Sequence, residues 1–213
     1  MEDQRKPYHH GDLASALLVA GRKYLAEKGL DGLSLRVVAA EVGVSAPALY
    51  GHFRSKKDLV KAICADGFRE LADEMEVCAI GDLSATERVT RYGLVYVQFS
   101  LNNPEIYRAM FVSGHLQVPE RQKEQSQNFA NQARRAYRLL EEGFKPLSHS
   151  DQQAKVLAAR AWALVHGLAS LFNEGLLSLP ETGKEDYIRT LLASRITQQV
   201  SGSEVPSAEP SQQ

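Results

Sequence analysis

Between Ser45 and Asp58 the chain carries side chains suited to holding an anionic polymer. Ala46, Pro47, Ala48, Tyr50, Gly51 and His52 are small or end in a polar tip, while Leu49 and Phe53 are the apolar positions. Small residues let a helix backbone approach another surface, and Tyr50 and His52 can donate hydrogen bonds from its flank. Ser55 is spaced to cap a following helix, with Asp58 placed to complete a capping box. Lys56 and Lys57 then fall in the first turn, where the macrodipole disfavours each cation by about 0.3 kcal/mol or more. An anion bound there removes that penalty, because free N–H groups and ammonium groups converge on it. Two readings divide these residues evenly. One is a helix-turn-helix on a DNA backbone; the other is an ordinary three-helix packing unit with solvated lysines.

Positioning these residues requires the elements before them. Ser34 is a candidate cap for a helix with an apolar stripe at Leu35, Val38, Ala39 and Val42. Gly43 is the expected stop, since glycine adopts the left-handed conformation without strain. Ser45 caps the next segment, and Pro47 suits its first turn. That segment ends near Phe53, too short to stay helical without tertiary packing. Upstream, a helix over 11–28 buries Leu13, Leu17, Ala20 and Tyr24, with Gly29 as terminator and Leu30 folding back on Leu25. Residues 1–7, with Arg5 and Lys6, read as a flexible arm. The adjacent His9 and His10 point apart and lack nearby co-ligands, so no metal site is expected.

The run from Tyr8 to Asp58 resembles the DNA-binding domain of the TetR family of bacterial transcriptional regulators. The matching pieces are YHHGDL at 8–13, LAEKGLDGLSLRVVAAEVGVS at 25–45 and LYGHFRSKKDL at 49–59. The A-W-x-x-x-H-G run from Ala161 to Gly167 is similar to the C-terminal domain of the subgroup named for Trp-His-Gly. The resemblance implies that Arg36, Ser45, Ala46, Pro47 and Ala48 face the bases, with Gly51 on the same bare face. Tyr50, His52 and Lys56 would hold phosphates. Ala46 and Ala48 carry no hydrogen-bonding groups, so readout would lean on thymine methyl contact and DNA shape.

Composition agrees in kind. Residues 1–62 hold ten Lys/Arg against seven Asp/Glu, a head of +3, so with −1 overall the remainder carries −4. A mildly basic head on an acidic body suits DNA contact at one end. Helix formers dominate and no stretch alternates long enough for a sheet. The N-terminus is polar and no apolar run reaches 18 residues free of charge, so the expectation is a cytoplasmic chain with nothing in a membrane. Cys64 and Cys78, on one helix about 21 Å apart, are expected as buried thiols rather than a disulfide.

The fold class expected is therefore all-α. A three-helix helix-turn-helix domain (1–58) leads through a linker helix (about 56–79, inward-facing at Leu59, Ile63, Leu71 and Met75) into a helical-bundle domain (80–200). A tail from 201 to 213, rich in Ser, Pro and Glu, is expected to be disordered. In the second domain, helices are expected from the Ser84 cap to Asn102, over 104–112, over 120–144, over 150–177 and over 185–200. Eight of the sixteen aromatics lie between Tyr92 and Phe144. Tyr92, Tyr96, Phe99, Tyr107, Phe111, Phe129 and Tyr137, with Trp162 and His166, are the candidate lining of a site for a small apolar or aromatic ligand. The bland alternatives are a plain aromatic core and, for His166, a hydrogen-bonded core histidine.

Helix 150–177 is apolar on nearly all sides, which predicts burial on nearly all sides. A second copy is the economical cover, so helices 150–177 and 185–200 form the expected homodimer interface. No Walker loop, Rossmann glycine pattern, nucleophile elbow, paired CxxC or HExxH appears, and no cofactor is implied. The function expected is a homodimeric repressor released from a near-palindromic operator by a small molecule. The competing classes are a ligand-independent DNA-binding architectural protein and a helical enzyme or partner-binding module.

Overall fold

A serine stands immediately before several of these helices, and glycine or proline marks some of the breaks between them. The computed structural model describes residues 10–112 and 123–201. All of their regular structure is helical: α1 (His10–Gly32), α2 (Leu35–Val42), α3 (Ala46–His52), α4 (Lys56–Cys78), α5 (Ala85–Asn102), α6 (Pro104–Val112), α7 (Lys123–Phe144), a 3-10 turn (Lys145–Leu147), α8 (Asp151–Asn173) and α9 (Lys184–Ser201). The all-α expectation holds. The 1–7 arm, His9 and the loop expected over 113–119 lie outside the described residues, as does the tail apart from Ser201.

The chain divides into two compact units, one made of 1–74 and 99–136, the other of 75–98 and 137–213. In the first, Leu17, Leu25, Leu49, Leu59 and Ile63 are wholly buried. Gly67 lets α4 meet α6, since a Cβ there would sit 2.9 Å from Met110 Sδ. Arg22 of α1 pairs with Asp66 (2.9 Å) and Glu70 of α4, and Arg135 of α7 with Asp73 (2.6 Å). In the second unit Gly93 of α5 faces Leu192 of α9 and Val165 of α8. Glu87 of α5 is bonded by Arg189 of α9 at 3.1 Å.

Two glycines carry the breaks near the N-terminus. Gly29 leaves helical geometry at φ 67°, ψ −176°, and a Cβ there would also lie 3.0 Å from a Glu105 carboxylate oxygen of α6. The helical turn resumes beyond it, so α1 reaches Gly32 rather than stopping at Lys28. Gly43 ends α2 at φ 75°, ψ 29°, its N–H directed to the Ala39 and Ala40 carbonyls. Nothing lies within 4 Å of a Cβ built at Gly43. Gly43→Val should therefore cost only the backbone penalty, about 1–2 kcal/mol, read as a lower urea midpoint; an unchanged midpoint would refute it.

Several local expectations change. Ser34 precedes α2 but its side chain makes no capping bond. In the α2 stripe Val38 and Ala39 are buried, but Leu35 and Val42 are only half-buried, as is Tyr24 in α1. Asp58 reaches back one residue further than a capping box requires, accepting from the Arg54 N–H at 3.1 Å. Glu87 likewise goes to Arg91 and Arg189 while its N–H bonds Ser84 Oγ at 3.1 Å. Cys78 is half-buried, not buried, its thiol bonded to the Met75 carbonyl. Helix α8 ends at Asn173, four residues early, before Gly175 at φ 69°.

Among the described residues only α8 is long and apolar enough, by length and composition, to cross a membrane. Its Leu157, Ala158, Val165, Leu168, Ala169 and Phe172 are buried in its own unit. Burial on nearly all sides is not observed within one chain: Val156 (41 %), Trp162 (42 %) and Leu171 (40 %) stay exposed. In α9, Ile188 and Leu192 turn into the unit, Tyr187 and Leu191 are half-buried, and Ile196 has no described side chain.

Candidate functional site

Seven residues make α3, and its position comes from the residues flanking it. The Ser45 hydroxyl accepts from the Ala48 N–H at 3.4 Å, and Pro47 sits in the first turn. At the far end the Phe53 N–H closes on the Leu49 carbonyl at 2.9 Å. Leu49 (0 % exposed) and Phe53 (6 %) anchor the inner face. Packing against α2 completes the pair.

The opposite face is open. Tyr50 is 47 % exposed, and nothing lies within 4 Å of a Cβ built at Gly51. Ser45 and Pro47 are exposed, and Ala46, Ala48 and His52 half-buried. Beside this face a cleft of about 490 Å³ is lined by Leu33, Ser34, Leu35 and Arg36 from the start of α2, and by Tyr50, Arg54, Ser55 and Lys56. Two helix N-termini thus border one cleft, with three cations on its wall. Among the described residues no carboxylate lies within 4.0 Å of Arg36, Arg54 or Lys56. Such a cleft can hold a singly or doubly charged anion through amides and side chains together.

Arg54 is the charged lining residue that sequence reasoning passed over. The signal was its place one residue before the Ser55 cap, where Asp58 now holds its backbone. Asp58 is 2 % exposed; its N–H donates to Ser55 Oγ at 3.1 Å, and its Oδ1 has no hydrogen-bond partner among the described residues. This buried bracket sets where Arg54, Ser55 and Lys56 emerge.

The nine aromatic and histidine candidates fall into two sets. In the first unit Tyr107 meets Phe111 (centroids 4.9 Å), and Phe68 lies edge-on to Phe111 (5.7 Å) and Phe129 (5.5 Å). Phe99 belongs to this unit and is buried. In the second, Tyr137 meets Trp162 (5.6 Å), Trp162 approaches His166 (6.3 Å), and Tyr96 Oη lies 3.1 Å from His166 Nδ1. His166 is thus a hydrogen-bonded histidine, and burial holds its imidazole below the ordinary range. Tyr92 is buried against Gly143, and burial raises its phenol and that of Tyr137. Phe68, which the sequence did not single out, links Phe111 to Phe129.

Comparison with known proteins covers both parts of the chain. Residues 17–63 match the model of bacterial regulatory proteins, tetR family, and residues 89–194 that of a tetracyclin repressor-like C-terminal domain. The tetracycline repressor protein class A from transposon 1721 of Escherichia coli is 43 % identical over 49 residues, 23 % of each chain. The HTH-type transcriptional regulator Rv1816 of Mycobacterium tuberculosis is 30 % identical over 64 residues, 30 % of this chain and 27 % of its own length. These matches thus span about a quarter of the curated relatives. Two solved structures from Rhodococcus sp. RHA1 extend the likeness in fold. A protein of unknown function has TM-score 0.74 and 27 % identity, over 93 % of this chain and 98 % of that one. A TetR-like transcriptional regulator has TM-score 0.63 and 18 % identity, over 93 % and 100 %. With the helix-turn-helix and the C-terminal part both matched, the chain belongs to the TetR family of bacterial transcriptional regulators.

Proposed function

We propose that the chain is a homodimeric DNA-binding repressor, released from a near-palindromic operator by a small apolar or aromatic ligand. The observation that carries it is the open face of α3 beside a cleft with three uncommitted cations. In this reading residues 1–58 bind DNA, 56–79 transmit, and 80–200 sense and dimerise. Two-fold symmetry sets the two α3 helices about 34 Å apart, in successive major grooves. Ser45, Ala46, Pro47, Ala48 and Gly51 approach the bases, and Arg36 forks onto a guanine. Tyr50, His52, Arg54 and Lys56 grip phosphates and set register. Assignment to the Trp-His-Gly subgroup rests on Ala161, Trp162, His166 and Gly167 alone.

Ligand release would favour a dimer geometry in which the two α3 helices no longer fit both half-sites. Moving the DNA-competent form from 99 to 1 per cent takes about 5.5 kcal/mol of differential affinity. Selecting bound sequences from a random duplex library tests the whole reading. A palindromic consensus is expected, and recovery of no consensus would reject it. Lys56→Ala should weaken binding to every sequence alike and lower the log–log salt slope by about 0.9 for each phosphate left unneutralised. An unchanged slope would remove Lys56 from the phosphate-binding set.

A further inference from the structure

Among the described residues Lys61 is the sole buried base, at 7 % exposure. It sits on α4 and donates from Nζ to Ser126 Oγ of α7 at 3.0 Å. An ammonium has three hydrogens to donate, and a hydroxyl accepts one without neutralising the charge. Buried charges are ordinarily paired. Yet among the described residues no carboxylate lies within 4.0 Å of this one. Asp58, one turn earlier on α4, engages the Arg54 N–H instead. Burial holds the Lys61 ammonium below the ordinary lysine range, against the weaker upward pull of the Asp58 carboxylate.

The same two helices carry an aromatic seam. Phe68 lies two turns beyond Lys61 on α4, about 10 Å along the axis, and Phe129 one turn beyond Ser126 on α7. Their rings meet edge-on at 5.5 Å, and Phe111 is also edge-on to Phe68 at 5.7 Å. One ammonium and one hydroxyl at the head of a phenylalanine seam match a single carboxylate on an apolar body. A phosphate, with three strong acceptor oxygens and a larger desolvation cost, would find too few donors.

We propose that the effector is a small monocarboxylic acid with an aromatic or medium-chain body. Its carboxylate takes the Lys61 ammonium and Ser126 hydroxyl, and its body lies along Phe68, Phe111 and Phe129. The inference rests on the ligand-responsive reading above and fixes the ligand's class.

The test uses the full chain, with 4-phenylbutyrate and octanoate as acid probes and their primary amides as neutral counterparts. Calorimetry should give the acids an advantage of about ten- to a hundredfold, the range of a hydrogen bond to a charged group. Lys61→Met should erase that advantage, with acid affinity falling well beyond any loss in amide affinity. Methionine replaces an unpaired buried charge with an apolar side chain, so the variant should stay folded, which its melting curve checks. Ser126→Ala should reduce the advantage in part and guards against a fold defect specific to position 61. Equal affinity for acid and amide, with both releasing selected operator DNA, overturns the acid assignment and leaves the ligand response standing. Persistence of the acid preference in Lys61→Met also overturns it. Absence of binding and of release by every probe overturns the assignment and removes the support for a ligand response with it.

Discussion

Leu49→Ala should cost about 2–5 kcal/mol of stability, the range for emptying a fully buried leucine site. Leu49 is 0 % exposed on a helix of seven residues. A segment of that length is not helical in water on its own, so its conformation is set by what Leu49 and Phe53 touch. Against a typical domain stability of about 5–15 kcal/mol, the loss is large, and it falls on the element proposed to enter the groove. With a urea slope of about 1–3 kcal/mol per molar, the midpoint should fall by roughly 1 M or more. Specific DNA affinity should collapse with it at temperatures where the rest of the chain remains helical by circular dichroism. Tyr50→Ala supplies the contrast. Tyr50 is 47 % exposed, so stability should move by no more than about 0.5 kcal/mol while DNA affinity drops. If Leu49→Ala retained full affinity, α3 would not owe its shape to this packing.

What the sequence reveals of this unit is what neighbouring residues decide among themselves. Gly43 stops α2, Ser45 caps α3 and Pro47 occupies its first turn because each effect acts within four residues. The open face of α3 is legible for the same reason, since Tyr50 and Gly51 follow from the side opposite Leu49. Features that depend on distant partners are not legible. Lys61 counts in the sequence as one more charge of a basic head, and only α7 makes it a buried ammonium. Phe68 is one apolar residue in a long helix until Phe111 and Phe129 gather round it. Gly29 reads as a helix stop, and its φ of 67° is what bars a side chain there, but the Glu105 carboxylate that closes on it comes from 76 positions away. Arg54 was hidden by the cap that follows it. Local chemistry announced the bracket around Ser55, and only the packed α2 start turned that bracket into a cleft.

The second large effect concerns α8. A helix can be apolar all round and still expose one side when the molecule that covers that side is a second copy. Val156, Trp162 and Leu171 are each about two-fifths exposed, at 41 %, 42 % and 40 %. Ala159 and Ala163 are exposed, and nothing lies within 4 Å of a Cβ built at Gly167. Small residues recurring every four positions permit close helix approach, and their larger apolar neighbours supply area to bury. Ala163→Glu discriminates sharply because the position is exposed in a single chain. In a monomer the change should be worth no more than about 0.5 kcal/mol. In a two-fold interface it buries the charge twice, near its own symmetry mate, at a cost of several kcal/mol per ion. Sedimentation should therefore show a folded monomer, with an unchanged far-ultraviolet spectrum. Operator affinity should fall about 10²–10⁴-fold, because two linked half-site interactions become two separate ones. A variant that still sedimented as a dimer would move the interface off this face. A monomeric variant that kept full operator affinity would mean that each α3 acts alone, and the palindromic reading would go with it.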